Sequence, residues 1–238
     1  MTQLNFNIFL KILIGMGIGF IILMPAYPLI YAVFYLHEIL PFGIFLLLSP
    51  ILIILSYILF IVFFVIETKV ILFFLKTKNV EGSFKTNVLN RTLIYYSVSS
   101  AFTTMLSKLL NRLMINSSIL DEILFKTYGN NVGKNCMIGT FILNPYLIDM
   151  GNNCVIGKNS ILSAHYIVGN NIKIRKIKIG NNVTIGLNSI ISPGVIIEDN
   201  VLVKINSFVK PNTVLKKNSV YAGNPAKFVK KINFSKIQ

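Results

Sequence analysis

Tryptophan is absent from the 238 residues, histidine and cysteine occur twice each, and 8 acidic residues stand against 23 basic ones. Two cysteines supply neither a disulfide framework nor the ligand spacing of a zinc site. His37 and His165 are the only histidines, which excludes a metal centre built from several imidazoles. The shortage of acid leaves a formal net charge of +15, which points to nucleic acid, an anionic membrane surface or an anionic small molecule. The lysines are dispersed and no recognition module accompanies them, so nucleic acid is set aside. Charge is scarce altogether, at 13% of residues against 54% apolar, and the apolar excess is concentrated near the start of the chain.

Ile12 to Leu36 carries no charge, and neither does Phe42 to Ile66. Each run is about 25 residues, enough to cross a hydrocarbon core of about 30 Å as a helix. A removable signal peptide does not fit, because the first run is too long and a second comes at once after it. The short connection His37-Glu38-Ile39-Leu40-Pro41 makes the two a hairpin, with Pro25 and Pro28 kinking its first helix. Gly15-Met16-Gly17-Ile18-Gly19 lies inside the first run with no strand before it, and reads as close helix packing rather than a nucleotide loop. Lys11 lies before the hairpin, and Lys69, Lys76, Lys78, Lys85 and Arg91 lie after it. The positive-inside rule then puts both ends in the cytosol and the His37 loop outside. A pair of core helices in a soluble protein is the alternative.

Beyond residue 67 the second helix is expected to continue for a few turns and loosen around Asn79-Val80-Glu81-Gly82-Ser83. From Arg91 to Ile115, the apolar residues Ile94, Val98, Phe102, Met105, Leu109 and Leu113 mark an amphipathic helix. Two placements stay open: on the membrane interface, where Lys108 and Arg112 meet anionic lipid, or over the open end of the C-terminal repeats.

Those repeats have a period of six. Ile179, Ile185, Ile191, Ile197, Val203, Val209, Leu215 and Tyr221 form one register, and Val183, Ser189, Val195, Val201, Ser207, Thr213 and Ser219 form a second, four residues after the first. Turn residues lie between them, so each hexad is a short strand and a corner, and the whole is a parallel β-helix. Three hexads per coil align Ile179, Ile197 and Leu215 in one interior column and Ile185, Val203 and Tyr221 in the next. Lys204, Lys210 and Lys216 then fall on three successive faces.

The register extends backwards through Val132, Ile138, Asn144, Met150, Ile156, Leu162, Val168 and Ile174, with a bulge expected at Asn144-Pro145-Tyr146. Cys136 and Cys154 fall on the small-residue register and read as buried corner residues. Between Ile174 and Ile179 the spacing drops to five. Just before that slip lies His165, three residues after inward-facing Leu162, in a corner position expected to project outward. An imidazole, with an ordinary pKa of about 6.5, suits the general base that a hydroxyl nucleophile needs.

The hexads resemble the left-handed β-helix of the hexapeptide-repeat acyltransferases. Tyr221-Ala222-Gly223-Asn224-Pro225-Ala226-Lys227 is similar to the closing sequence of the acetyltransferase branch. Ser163-Ala164-His165, with Ile179-Gly180 after it, is similar to the Thr/Ser-x-His, loop and Ile-Gly arrangement of the membrane-associated β-helix modules of peptide-synthetase-type enzymes. The scarcity of histidine argues against the carbonic-anhydrase relatives of this family.

The resemblance implies a homotrimer that transfers an acetyl group from acetyl-coenzyme A, without metal, to a hydroxyl of a sugar or lipid-linked glycan precursor; an amino acceptor stays open. It implies His165 as general base, a backbone N–H for the oxyanion, and coenzyme A in the groove between neighbouring chains. The matching cofactor-binding positions are Ala222, Gly223 and Lys227, with Ser192 and Lys210 on the outer edges of later coils.

The domain plan is a transmembrane hairpin (1–78), a linker with the amphipathic helix (79–129), the β-helix (130–222) and a C-terminal cap and basic tail (223–238). One departure, Lys204-Ile205-Asn206-Ser207 where the family has Gly-Ala-Gly-Ser, favours a rival reading as a non-catalytic trimeric scaffold of a membrane complex.

Overall fold

The computed structural model describes residues 24, 26–76, 80–86, 90–112, 118–129, 131–140, 142 and 144–232. The chain divides into two units, Met1–Phe73 and Phe74–Gln238.

In the first unit, helix α1 (Ala26–Ile39) is followed by α2 (Phe42–Leu75), which runs on into the second unit. Residues 1–23 and Pro25, and with them most of the first apolar run, lie outside the described residues. Pro28 sits in the first turn of α1, where its missing N–H costs no helical bond. His37 and Glu38, expected in the connection, are helical instead. The break narrows to Leu40-Pro41, since the Leu40 amide still donates to Leu36 O and the proline ring stops the ladder. The His37 ring lies edge-on against Phe45, at 5.0 Å. Among the described residues, α2 alone is long and apolar enough to cross a membrane, with a mean hydropathy of 2.8.

The second unit is built on the hexads. Its strands are β1 (Gly82–Lys85), β2 (Asn131–Val132), β3 (Met137–Ile138), β4 (Ile148–Met150), β5 (Val155–Ile156), β6 (Ile161–Leu162), β7 (His165–Val168), β8 (Asn171–Ile174) and β9 (Ile177–Ile179). They continue with β10 (Thr184–Ile185), β11 (Ile190–Ile191), β12 (Ile196–Ile197), β13 (Val201–Val203), β14 (Phe208–Val209), β15 (Val214–Leu215), β16 (Ser219–Ala222) and β17 (Lys227–Lys231).

Three sheets form the walls of a prism, in the orders β3-β5-β10-β13-β16, β6-β11-β14 and β2-β4-β9-β12-β15, with parallel pairing throughout. Ile179 pairs with Ile197 and Ile197 with Leu215; Ile185 pairs with Val203 and Val203 with Tyr221, which are the two columns the period predicts. All six are buried in one apolar core, where each aliphatic side chain contributes at most about 1.5–3 kcal/mol.

The corners explain the rest of the hexad. Asn135, Asn153, Asn182, Asn200 and Asn218 adopt left-handed backbone conformations on one edge, which asparagine tolerates better than other residues with a Cβ. Their carboxamides form a ladder in which each Nδ2 donates to the Oδ1 of the next, at 3.3, 3.1, 3.0 and 2.8 Å. Gly186 is required for another reason: a Cβ there would lie 2.5 Å from the Ile205 amide nitrogen one coil on. The small-residue register points inward. Cys136 and Cys154 belong to it, buried as expected, and their thiols donate to Gly151 O and Gly180 O.

Helix α3 (Arg91–Arg112) and helix α4 (Ser118–Tyr128) lie against the first coils. Tyr95 of α3 packs edge-on against Tyr146 at 5.0 Å, and Ser100 donates to Asn144 Oδ1 at 2.8 Å. Phe125 of α4 belongs to the prism core and closes its end. The amphipathic helix thus sits over the coil, and α4 is an element that the apolar spacing did not suggest. At the other end, β17 turns back antiparallel on β16, with Phe228 against Tyr221. The basic tail is therefore a closing strand as far as Lys231, and residues 233–238 lie outside those described.

Candidate active site

Most coils pair residues 18 apart, but Asp149 pairs with Lys178, Val155 with Thr184 and Ile161 with Ile190, each 29 apart. Eleven residues are therefore inserted after β6, and they form the antiparallel hairpin β7–β8, turned at Gly169-Asn170 with Gly169 at φ 56°. The Arg175 amide donates to Ala164 O and closes the hairpin base. This corrects the hexad count: Val168 is 57% exposed because it lies in the hairpin and not in the prism wall. The slip of one register position between Ile174 and Ile179 is the trace of this insertion.

The segment at Gly82-Ser83, expected to be loose, is a strand. β1 pairs antiparallel with β8 and makes the hairpin three-stranded, with Gly82, Ile174 and His165 in one row.

His165 opens β7. It is half-buried rather than projecting freely, since the Tyr96 ring stands edge-on to it at 5.3 Å. Its Nδ1 is buried and takes part in no hydrogen bond within the described chain. Desolvation holds its pKa below the ordinary imidazole value, so the ring is neutral at neutral pH. The preceding Ser163 hydroxyl donates to His165 O at 2.7 Å and steadies the backbone there.

Around the imidazole lies a polar layer that sequence reasoning missed. Tyr96 is buried, and its phenol is pushed up by burial and pulled back by hydrogen bonds with Asn144 and Ser100. Asn144, read from the sequence only as a bulge, is 3% exposed. The bulge itself is a 3-10 turn at Pro145–Leu147. A polar residue inside an apolar register was the available signal for Asn144; for Tyr96 and Ser100 there was none.

The other predicted positions fall along the β6-β11-β14 wall. Ser163, Ser192 and Lys210 stack at one corner on successive coils, through the bonds from Ser163 N to Ile191 O and from Ser192 N to Val209 O. This brings Ser192 and Lys210 to the corner that carries His165. Ser192, however, is only 5% exposed and is not on the outer edge: the Pro193-Gly194 turn folds over it, and its carbonyl accepts the Val195 amide. Lys210 is exposed.

At the other edge of the same wall, Gly223 O accepts the Phe208 amide and Gly223 N donates to Ser207 Oγ. Gly223 has φ 103°, a region that favours glycine, and Lys227 is exposed opposite half-buried Ala222 in the β16–β17 pair. Ile205 is 61% exposed at the corner, directed away from the wall interior. Among the described residues there is no group of three or more His, Cys, Asp or Glu side chains placed to hold a metal.

Comparison with known proteins bears on the repeats. The family profile described as "Hexapeptide repeat of succinyl-transferase" matches residues 148–175 and 176–211. No curated protein sequence matches the chain. Among solved structures, a maltose O-acetyltransferase from Clostridium difficile 630 is 20% identical, with 64% of this chain and 94% of that one covered and a TM-score of 0.48. A galactoside acetyltransferase in complex with coenzyme A is 25% identical over 50% of this chain and 74% of its own, with a TM-score of 0.40. A hexapeptide-repeat-containing acetyltransferase from Vibrio cholerae is 16% identical over 58% and 93%, with a TM-score of 0.44. The matched residues run from β4 through the β7–β8 hairpin to just beyond β14, so the hexads of this part of the chain are similar to those of the hexapeptide-repeat family.

Proposed function

We propose that the protein is a membrane-anchored O-acetyltransferase, moving an acetyl group from acetyl-coenzyme A to a hydroxyl of a sugar or lipid-linked glycan precursor. The observation that carries this reading is His165: an imidazole at the insertion that interrupts the prism, its Nδ1 buried and unpartnered, with the Tyr96 ring edge-on beside it.

In the reaction, His165 takes the proton of the acceptor hydroxyl as its oxygen attacks the thioester carbonyl. A backbone N–H at the wall holds the tetrahedral oxyanion. Collapse breaks the carbon–sulfur bond, the coenzyme A thiolate leaves, and the His165 proton passes to the sulfur. Acceptor oxygen has then replaced sulfur on the acetyl group, with no net gain or loss of protons.

Ala222, Gly223 and Lys227 at one edge of the β6-β11-β14 wall, and Lys210 at the other, are the positions for coenzyme A. The exposed ammonium groups of Lys210 and Lys227 suit its phosphates.

Three left-handed prisms side by side complete the site. The outward column Ile161, Ile190 and Phe208, with Leu187 and Ile205 at the adjoining corner, supplies apolar surface for that trimer. Anchoring is multi-pass through the N-terminal apolar segments, with the prism facing the cytosol; the apolar α2 and the basic residues after it support that placement.

The test is calorimetric binding of coenzyme A and acetyl-coenzyme A to detergent-purified protein, with His165→Ala and Lys227→Ala in parallel. Binding by the native chain, weakened by Lys227→Ala and intact in His165→Ala, is the expected result. No binding at millimolar ligand overturns the transferase and leaves the trimeric scaffold.

A further inference from the structure

We propose that the segment Glu81–Thr86 is a positioning strand for His165: it turns a marginal hairpin into a three-stranded sheet and thereby holds the imidazole against Tyr96. The inference rests on His165 acting at the site proposed above and names the element that sets it.

A two-stranded hairpin standing alone in water is marginal, and a third strand is what gives such a sheet independent stability. Here the insertion β7–β8 leaves the prism at Ala164 and returns at Arg175, so the prism ladders hold only its base. Val168 and Ile167, toward the turn, are exposed and receive little packing.

β1 supplies the missing support along the full length of the hairpin. All four of its residues pair with β8, from Gly82 opposite Ile174 to Lys85 opposite Asn171. Both ends are fastened as well. The Glu81 carboxylate accepts the Lys176 amide at 3.3 Å at the base, and the Thr86 amide and hydroxyl donate to Asn170 O at 2.8 and 3.1 Å at the turn.

The period-2 pattern of a sheet places the rows Gly82–Ile174–His165 and Phe84–Ile172–Ile167 on one face and the rows of Lys173 and Asn171 on the other. On the His165 face Ile174 and Ile172 are buried and Phe84 is half-buried, so β1 also brings apolar cover to the side from which the imidazole projects. Tyr96 closes on the ring from α3. With β1 released, the hairpin keeps its own ladder and base bonds but loses its third strand, both end fastenings and the cover of Phe84, and the ring loses a fixed approach to Tyr96.

The test uses the full chain in lipid nanodiscs with His37→Gln, which leaves His165 as the single imidazole. Imidazole 1H–15N spectra are followed against pH in this background and in two further variants. Phe84→Pro removes an amide that faces β8, two residues from the Thr86 amide that donates to Asn170. The double variant Glu81→Ala, Thr86→Val removes only side-chain fastenings at the ends.

The expected background result is one sharp His165 signal with a midpoint below the ordinary value of about 6.5. Phe84→Pro raises that midpoint and broadens the signal, and the double variant does the same to a smaller extent, while the thermal melt of the prism is kept in both. With acetyl-coenzyme A and an acceptor, kcat falls about tenfold or more at unchanged KM for acetyl-coenzyme A, as for a displaced base. An unchanged midpoint and line shape in both variants overturns the proposal. Should Phe84→Pro melt early, the double variant decides alone. If the native chain binds no coenzyme A, the transferase reading falls, and the spectra still decide what β1 does.

Discussion

From β9 onward the prism repeats itself without interruption, whereas the coil between β4 and β9 carries eleven additional residues. Yet the asparagine ladder crosses the irregular coil unaltered: Asn153 donates to Asn182 at 3.1 Å across 29 residues, as Asn182 does to Asn200 at 3.0 Å across 18. The insertion disturbs one corner and leaves the other edge as it was. Repetition holds the scaffold, and a single break in it carries the one imidazole of this unit, so stability and chemistry can be altered independently.

The sharpest separation comes from His165→Ala. Acetyl transfer should fall by about 10²–10⁴-fold, the contribution of a positioned general base, with the thermal melt unmoved; a shifted melt would mean that the irregular coil is structural after all.

Phe125→Ala acts on the opposite side of the comparison. Opening the plug of the first coil should destabilise the full chain by about 3–5 kcal/mol in chemical denaturation, a typical loss for a buried phenylalanine. Coenzyme A binding at the far coils should persist at temperatures below the lowered melt.

Within the repeats, Asn182→Ala removes two rungs and leaves a Cβ in a left-handed corner, for a loss of about 2 kcal/mol. Asn182→Gly removes only the rungs and should lose about half as much. Equal losses in the two would put the whole effect in the ladder.

The pH profile is a smaller effect. Burial lowers the folded pKa of His165, so kcat/KM should be level at neutral pH and fall on acidification through a midpoint below 6.5 as the base becomes protonated. In the Phe84→Pro variant that limb should move to higher pH.

The smallest response is expected from the cysteines. Burial pushes the Cys154 thiol up to about 11, and Cys136 is buried one coil earlier, so neither should react with iodoacetamide at pH 8 until the prism unfolds. Labelling counted by mass spectrometry, folded against urea-unfolded, checks this.

The same division separates the legible parts of the sequence from the illegible ones. Columns such as Ile179, Ile197 and Leu215 were legible because each hexad repeats the same local rule, and eight repetitions leave little room for accident. Val168 was misplaced because six-residue spacing persisted by chance into the hairpin, and only the five-residue gap after Ile174 betrayed it. Gly82-Ser83-Phe84-Lys85 has weak strand character of its own; its partner lies about ninety residues further on, and only the fold brings them together. Tyr96 and Ser100 lie on a helix whose expected apolar stripe is buried at Val98 and Phe102 but not at Ile94, Met105 or Leu109, while Leu113 lies outside the described residues. Nothing in that spacing says that Asn144 and His165 will meet its polar flank. His165 stands out in the sequence by its residue type, but the burial of its Nδ1 does not, because Tyr96 packs on the ring from a distant segment.

The asparagine edge has one more property. The carboxamides of Asn135, Asn153, Asn182 and Asn200 each donate toward the C-terminal coil, ending on Asn218, so their group dipoles add head to tail rather than cancel. The prism is therefore a polarised rod along that edge, with a donor end and an acceptor end. A coil added at the C-terminal end would continue the ladder by offering an acceptor to the Asn218 carboxamide.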